Sequence, residues 1–142
     1  MLVGSILAIA QTNIKKMLAY SSVSQIGYII LGVALMNPIG LQGGLLHIFN
    51  HALMKCALFM SVGCIAYKTG ITNIADLKGL GFKKPYSMVA FTAGALSMIG
   101  IPLTVGFVSK WYLAMGSLEN GMWYLIPVIV ISSVLMLVYF WR

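Results

Sequence analysis

The sequence predicts an all-α protein, a polytopic bundle of transmembrane helices, from its composition, its hydropathy and the spacing of its apolar runs. Its 142 residues are 61% hydrophobic and only 8% charged, whereas soluble domains are about a quarter charged. The mean hydropathy is +0.98. Long apolar runs recur along the chain, with short polar turns between them. A surface of this composition must face lipid, which excludes an ordinary soluble domain.

The first half of the chain predicts one partial and two complete membrane crossings. Met1 to Ala10 is apolar but shorter than the 20 or so residues that a crossing takes. It resembles the tail of a longer helix. Met17 to Met36 is long enough and ends at Asn37-Pro38, which is a turn signal. Leu41 to Tyr67 is the next crossing and ends before Gly70, where a helix can stop.

The second half predicts a polar loop, a broken helix and a last crossing. Residues 71–85 are polar, with a short surface helix expected from Asn73 to Leu80. Tyr86 to Met115 is longer than one straight crossing needs. Its middle holds Gly100, Pro102 and Gly106, and these residue types predict a break near residues 100–106. With Met122 to Trp141 the chain has about four full crossings, forming a single transmembrane domain over residues 1–142.

The basic residues are distributed unevenly between the two ends of this bundle. The chain has nine Lys and Arg residues and only two acidic residues, Asp76 and Glu119. Seven of the nine fall at one end: Lys15, Lys16, Lys68, Lys78, Lys83, Lys84 and Arg142. The positive-inside rule places that end in the cytoplasm, with a prokaryotic inner membrane as the expected location. Because the basic residues do not form a stripe among exposed aromatics, a nucleic-acid partner is not expected.

The two remaining basic residues, Lys55 and Lys110, fall inside apolar runs. A lysine at bilayer depth costs about 2.5–3.5 kcal/mol on insertion scales. Lys55 lies about 20 Å along the helix from the boundary at Lys68, too far for its side chain to reach the headgroups. Lys110 closely follows the predicted break, and irregular backbone within a membrane commonly lines a cavity or an ion site. Both lysines are therefore candidates for function.

Three titratable residues are spaced four apart: His47, His51 and Lys55. On a helix this spacing places them in a line about 12 Å long on one face. Groups that gain and lose protons at such spacings are what a proton path requires. Two other interpretations remain open. The histidines could bond between helices as structural groups, or bind a metal, although a third ligand is not evident and no metal is expected. Cys56 and Cys64 are too far apart for a disulfide.

A second set of residues is accessory to this path. Lys15 and Lys16 end a polar stretch and are also suited to anchoring the chain at the membrane surface. The helix that follows carries Tyr20 and Ser24 among other polar groups, a pattern typical of a helix that packs against others or lines a wet interior.

Three segments together resemble the antiporter-like membrane subunits shared by respiratory complex I and Mrp-type cation/proton antiporters. They are Gln11 to Tyr28, His47 to Lys55 and Gly100 to Lys110. Within this family, the three segments are most similar in sequence to the Mrp D subunit and next most similar to the quinone-linked subunits. The resemblance implies two inverted repeats, each with a broken helix, and this chain looks like the last helices of the second repeat. It therefore looks like a fragment or the product of a split gene, not expected to move protons alone.

The resemblance also implies roles for single residues. Lys55 matches the central relay lysine, His47 and His51 match relay positions, and Lys110 matches the broken-helix residue of a half-channel. Lysine rather than glutamate at position 110 argues against the M-type subunit of complex I. Leu103 stands where the family often has a second proline, which implies a milder break.

Together these observations predict a proton-conducting subunit of a multisubunit monovalent cation/proton antiporter. The alternatives are a proton-pumping subunit of NADH-quinone oxidoreductase or a related membrane hydrogenase, and a structural subunit without transport. The expected partners are other membrane subunits, lipid and protons, with Na⁺ or K⁺ as candidates in the whole complex. No cofactor is expected, and the chain is not expected to be catalytic by itself.

Overall fold

A computed structural model describes residues 1–142 as an all-α membrane helix bundle. Its helices are α1 (Leu2–Ile9), α2 (Ile14–Ala34), α3 (Pro38–Thr69), α4 (Leu80–Lys83), α5 (Pro85–Ile99), α6 (Val105–Glu119) and α7 (Leu125–Trp141). A 3₁₀ turn covers Ile74–Leu77. By length and apolarity, α2 and α3 can each cross a membrane, while α5 and α7 are shorter apolar helices of 15 and 17 residues. The predicted fold class is confirmed.

The longest helix, α3, begins three residues before the predicted boundary because Asn37 caps it. The Asn37 side chain accepts a hydrogen bond from Gly40 N at 2.7 Å, and Pro38 occupies the first turn, where a proline is pre-organised for a helix. At the other end Gly70 takes the left-handed conformation, with φ of 70°. The resulting 32 residues place Lys55 near the middle of the helix.

The predicted break in the crossing from Tyr86 to Met115 is present. α5 ends at Gly100, which has φ of 88°, and α6 begins at Val105. Leu103 also has positive φ, at 78°, a conformation that is strained for a leucine. No helical turn continues across residues 100–104, although Leu103 stands where the family often has a second proline.

The prediction of one short surface helix from Asn73 to Leu80 is wrong. The segment is a 3₁₀ turn followed by the separate four-residue helix α4. Gly79, with φ of 81°, lies between the two and reverses the local backbone. Asn73 pairs instead with Asn13 in an isolated β-bridge, which ties this loop to the start of α2.

α3 is the central helix, and α2 packs along one side of it while α6 and then α5 pack along another. Going down α3, Gly40 lies against Gly116 and His47 against Ser109. Further along, Leu58 lies against Gly94. The broken pair α5–α6 therefore runs antiparallel to α3 as one interrupted segment. This arrangement brings the break, the start of α6 and the middle of α3 to the same depth.

The predicted basic end is formed by the start of α2, the loop after α3 and the end of α7. Ile14 N donates to Thr72 O at 2.9 Å, and Ile74 N donates to Thr12 O at 2.9 Å. The Arg142 guanidinium donates to Ile9 O at 2.7 Å. At the opposite end, Asn37 Nδ2 donates to Gly116 O and to Glu119 Oε2, at 2.8 and 2.9 Å. The cations and the acid of the α6 end thus lie at opposite ends of the bundle.

Candidate functional site

Lys55 lies in the interior of the bundle, with 7% of its surface exposed. Its ammonium donates to Leu18 O at 2.6 Å and to Ser21 Oγ at 2.5 Å, both on α2. The Phe59 ring centroid is 5.7 Å from Nζ, within the range of a cation–π contact. Lys55 has no carboxylate partner, since both acids of the chain are exposed. Its proton is therefore held by a carbonyl and a hydroxyl rather than by an ion pair.

His47 and His51 continue the line from Lys55 along α3. Their rings are nearly parallel, with centroids 6.5 Å apart. His47 is fully buried and is bonded through both ring nitrogens, to Ser109 Oγ at 2.8 Å and to Gln25 Oε1 at 2.7 Å. His51 is half-buried, and its Nε2 is enclosed without a hydrogen-bond partner. One histidine is thus held in a fixed network, and the other has a free ring nitrogen.

Lys110 sits where the broken helix ends, with 6% of its surface exposed. Its ammonium donates to Met98 O at 3.0 Å and Ile99 O at 2.8 Å, the last carbonyls of α5, and to Ser133 Oγ of α7 at 3.0 Å. Carbonyls at a helix C-terminus carry partial negative charge and favour a cation. The break supplies these carbonyls, because in a continuous helix they would be bonded to the next turn.

Tyr28 and Gln25 of α2 fill the space between Lys110 and His47. The Tyr28 ring centroid is 5.1 Å from Lys110 Nζ and 5.2 Å from the His47 ring. Gln25 bonds His47 on one side, and on the other donates to Met136 Sδ at 3.0 Å. Met136 Sδ lies 3.7 Å from Lys110 Nζ. Contacts thus run from Lys110 through Tyr28 and Gln25 of α2 to His47, and the His51 ring stacks beyond His47, one helical turn before Lys55 on α3.

The accessory residues named from the sequence are placed outside this series. Lys15 and Lys16 are exposed at the basic end, with their backbone N–H groups bonded to Asn13. Ser24 Oγ pairs with Ser5 Oγ at 2.8 Å, which joins α1 to α2. Tyr20 is half-buried and packs against the apolar core. The structure therefore gives these four residues anchoring and packing contacts.

The break residues act on the backbone. Gly100 ends α5 in the left-handed conformation, and Pro102 is exposed within the break. Gly106 is buried so closely that a Cβ added to it would lie 1.8 Å from Ser97 O. Asn50 of α3 donates to Val105 O at 2.8 Å and so holds the start of α6. A cavity of about 480 Å³ opens beside the break and reaches Lys110, Ser133 and Trp111.

Four residues of the site were not predicted from the sequence: Gln25, Tyr28, Ser109 and Ser133. Gln25 and Tyr28 are two of several polar residues on α2. The sequence does not distinguish them from Tyr20 or Ser24, which lie on the same helix. Ser109 and Ser133 are single hydroxyls within apolar runs, and hydroxyls in such helices usually bond their own backbone. No signal in the sequence distinguishes these two from the others.

Comparison with known proteins gives one consistent result. Residues 1–136 match the family described as "NADH:quinone oxidoreductase/Mrp antiporter, TM". NADH-quinone oxidoreductase subunit N of Desulforudis audaxviator is 52% identical over 99% of the chain and 28% of its own length. F(420)H(2) dehydrogenase subunit N of Methanosarcina mazei is 36% identical over 98% of this chain and 30% of its own length. The chain thus spans just over a quarter of the length of these curated relatives.

Two solved structures share the fold. The Mrp complex from Dietzia sp. DQ12-45-1b contains a chain with a TM-score of 0.93 and 40% identity, over 97% of this chain and 26% of that one. A chain of the membrane-bound sulfane sulfur reductase, an archaeal respiratory membrane complex, gives a TM-score of 0.91 and 32% identity. The match covers 98% of this chain and 28% of that one. The curated NADH-quinone oxidoreductase relatives fit the quinone-linked alternative better than the Mrp D subunit to which the motifs looked most similar.

All of these relatives are subunits of multisubunit membrane assemblies by name or by description. A family match over 136 residues, with the fold reproduced in two solved complexes, leaves one conclusion. The chain belongs to the NADH:quinone oxidoreductase/Mrp antiporter family of membrane proteins.

Proposed function

We propose that this chain is part of a proton-translocating subunit of a quinone-linked respiratory complex, and that Lys110, His47, His51 and Lys55 carry the proton. The observation that supports this most is the presence of two buried amines without carboxylate partners, with the Tyr28, His47 and His51 rings in successive contact beside Lys110. Lys110 exchanges protons through the break, and Lys55 is the inner relay. Gln25 and Tyr28 complete the connection between them.

Two features of these residues favour a role in proton transfer over a purely structural role in helix packing. A purely structural role needs polar groups that are fully satisfied, yet His51 Nε2 is buried without a partner. A lysine also adds a large insertion cost that a serine or asparagine would avoid. A cavity of about 480 Å³, lined mostly by hydrophobic residues, lies beside the break and reaches Lys110.

The position of the chain in its parent protein is a further part of the proposal. The chain corresponds to the last helices of the second inverted repeat, and its partners are the other membrane subunits of the complex. The basic end, including Lys15, Lys16, Lys78, Lys83 and Lys84, faces the cytoplasm. The name of the Desulforudis audaxviator relative, NADH-quinone oxidoreductase subunit N, supports a quinone-linked parent.

The test is Lys55→Ala in the complete complex, with Lys68→Ala as its control because Lys68 is exposed at the end of the same helix. Proton uptake by inverted membrane vesicles is measured during quinone reduction. We expect uptake to fall by about tenfold or more, because a positioned proton-transfer group contributes roughly 100-fold or more to its step. Assembly is checked by native electrophoresis. Proton uptake at the wild-type rate in an assembled Lys55→Ala complex would exclude this role and favour a structural subunit.

A cation/proton antiporter is the second candidate, supported by the Mrp complex at 40% identity. The same vesicles distinguish the two parents. A quinone-linked complex acidifies them only when an electron donor and quinone are supplied. An antiporter instead moves protons when Na⁺ or K⁺ is added against an imposed pH gradient, without any electron donor.

A further inference from the structure

A groove on the outer surface of α5 lies apart from the residues of the proposed relay. Its volume is about 410 Å³, which is in the range of small-molecule sites. Gly81 and Pro85 line it at the basic end of the bundle, and Leu96 lines it about three turns further along α5. Between them the lining residues are Met88, Val89, Thr92 and Ala93. Because Val89, Thr92 and Ala93 are exposed, no other helix of this chain covers the groove.

The length of the groove matches one leaflet of a membrane. Pro85 and Leu96 lie about 16 Å apart along α5, at roughly 1.5 Å of rise per residue. One leaflet takes half of a hydrocarbon core about 30 Å thick. The one hydroxyl in the lining, Thr92 Oγ1, donates to Met88 O of its own helix at 2.8 Å. Along this length the groove therefore offers an apolar surface that fits a lipid acyl chain.

The mouth of the groove is positively charged. Lys83 and Lys84 directly precede Pro85, and Lys78 lies on the adjoining loop. Lys78 and Lys83 line one shared pocket of about 440 Å³, together with Asp76. Asp76 is the only acid at this end of the bundle. Three cations against one acid leave a net positive charge, which favours an anionic headgroup.

The start of α5 adds hydrogen-bond donors to this charge. Its first turn has no side-chain cap, and the first N–H groups of a helix have no partner within the helix. Such groups bind phosphate oxygens. Phe82 and Tyr86, which flank Lys83 and Lys84 in sequence, are 97% and 92% exposed. Exposed aromatic residues beside lysines are typical of the headgroup level of a membrane, so the mouth of the groove lies at that level.

We infer that this groove binds one anionic phospholipid of the leaflet at the basic end. The phosphate lies at Lys83, Lys84 and the first N–H groups of α5, and one acyl chain lies along α5 toward Leu96. A transmembrane helix of another protein would cover the apolar surface but would leave the lysines and the free N–H groups at the mouth without an anion. An anion with an apolar tail matches both parts. The inference does not depend on the proton relay, because no relay residue lines the groove.

The first test measures lipid labelling of the groove in the complete complex. Phosphatidylcholine nanodiscs carry increasing fractions of phosphatidylglycerol with a photoreactive acyl chain, and mass spectrometry identifies the labelled residues, which we expect within 88–96. In the double variant Lys83→Gln/Lys84→Gln, the phosphatidylglycerol fraction for half-maximal labelling should rise by about tenfold or more, since each lysine strengthens anionic-lipid binding by roughly fivefold. Lys15→Gln/Lys16→Gln is the matched control and should label like wild type, because these adjacent lysines are exposed at the same end of the bundle.

The second test fills the groove and leaves its charge unchanged. Ala93→Trp places a large side chain in the lining. Ala90→Trp is the control, because Ala90 is exposed on the same helix but does not line the groove. With assembly checked by native electrophoresis, Ala93→Trp should lose the phosphatidylglycerol labelling and Ala90→Trp should keep it.

Three results would overturn the inference. Equal labelling by a phosphatidylcholine probe with the same acyl chain would show that the groove does not recognise an anionic headgroup. Wild-type labelling of the Lys83→Gln/Lys84→Gln or Ala93→Trp complex would show that the lipid does not bind through these residues. No labelling of residues 88–96 in the wild-type complex would show that a neighbouring protein, rather than a lipid, covers the groove.

Discussion

Lys55 and Lys110 are both buried amines, but different features of the backbone compensate their burial. Lys110 faces Met98 O and Ile99 O, carbonyls that the end of α5 leaves free. Lys55 instead donates to Leu18 O in the middle of the continuous helix α2, with Ser21 as second acceptor. Both amines are thus compensated by carbonyls and hydroxyls of this chain, and pairing with backbone carbonyls is typical of charged residues inside membranes.

In the proposed relay, Gln25 links His47 to Met136, whose sulfur lies beside Lys110. Gln25→Leu keeps the approximate size of the side chain but removes its bonds to His47 and Met136. We expect proton uptake by vesicles to fall by roughly tenfold, with the complex still assembled.

Gln42→Leu serves as the control for Gln25→Leu, because Gln42 is exposed on α3. A Gln25→Leu complex that pumps like the control would show that the proton bypasses this amide.

At the scale of elements, the break between α5 and α6 depends on one close approach. Gly106 comes so near to Ser97 O that any side chain there must displace backbone. The broken pair also depends on α3, because Asn50 holds Val105 O and Asn37 holds Gly116 O. The geometry around Lys110 is therefore fixed by contacts at both ends of α6.

Gly106→Ala should destabilise the protein by about 1–3 kcal/mol, which is typical of an added methyl group in a tightly packed site. The melting temperature of the purified complex in detergent measures this effect. Gly63→Ala is the matched control, since a Cβ at Gly63 meets nothing within 4 Å. Alanine there should be neutral or stabilise the helix by about 0.5–1 kcal/mol. Equal melting temperatures for the two variants would contradict the close approach.

At the scale of the whole molecule, charge separates the two ends of the bundle. The seven basic residues outside the membrane interior lie together at the end formed by α2, the loop after α3 and α7. The other end carries Glu119 and is closed by Asn37. A bundle with this asymmetry has a preferred orientation in a membrane.

Cysteine labelling tests that orientation. Ala75→Cys at the basic end should react with a membrane-impermeant thiol reagent in inverted vesicles and be protected in intact cells. Met36→Cys, 94% exposed at the other end, should show the reverse pattern. Both variants carry serine at Cys56 and Cys64, which are exposed on α3. Labelling of Ala75→Cys in intact cells would overturn the proposed orientation.

The sequence by itself determined the fold class, the four long apolar segments, the break near Gly100 and the two unusual lysines. Hydropathy, glycine and proline act locally along the chain, so these features need no knowledge of packing. The sequence could not decide the form of the loop around Gly79, because a single left-handed residue divides that segment. It also ranked the Mrp D subunit ahead of the quinone-linked subunits, which the curated relatives fit better.

Only the tertiary structure decided which polar side chains meet. His47 reaches Ser109 across 62 residues of sequence, and Gln25 reaches Met136 across 111. Such contacts depend on how helices pack, and a hydroxyl that bonds its own helix looks the same in sequence as one that completes a network.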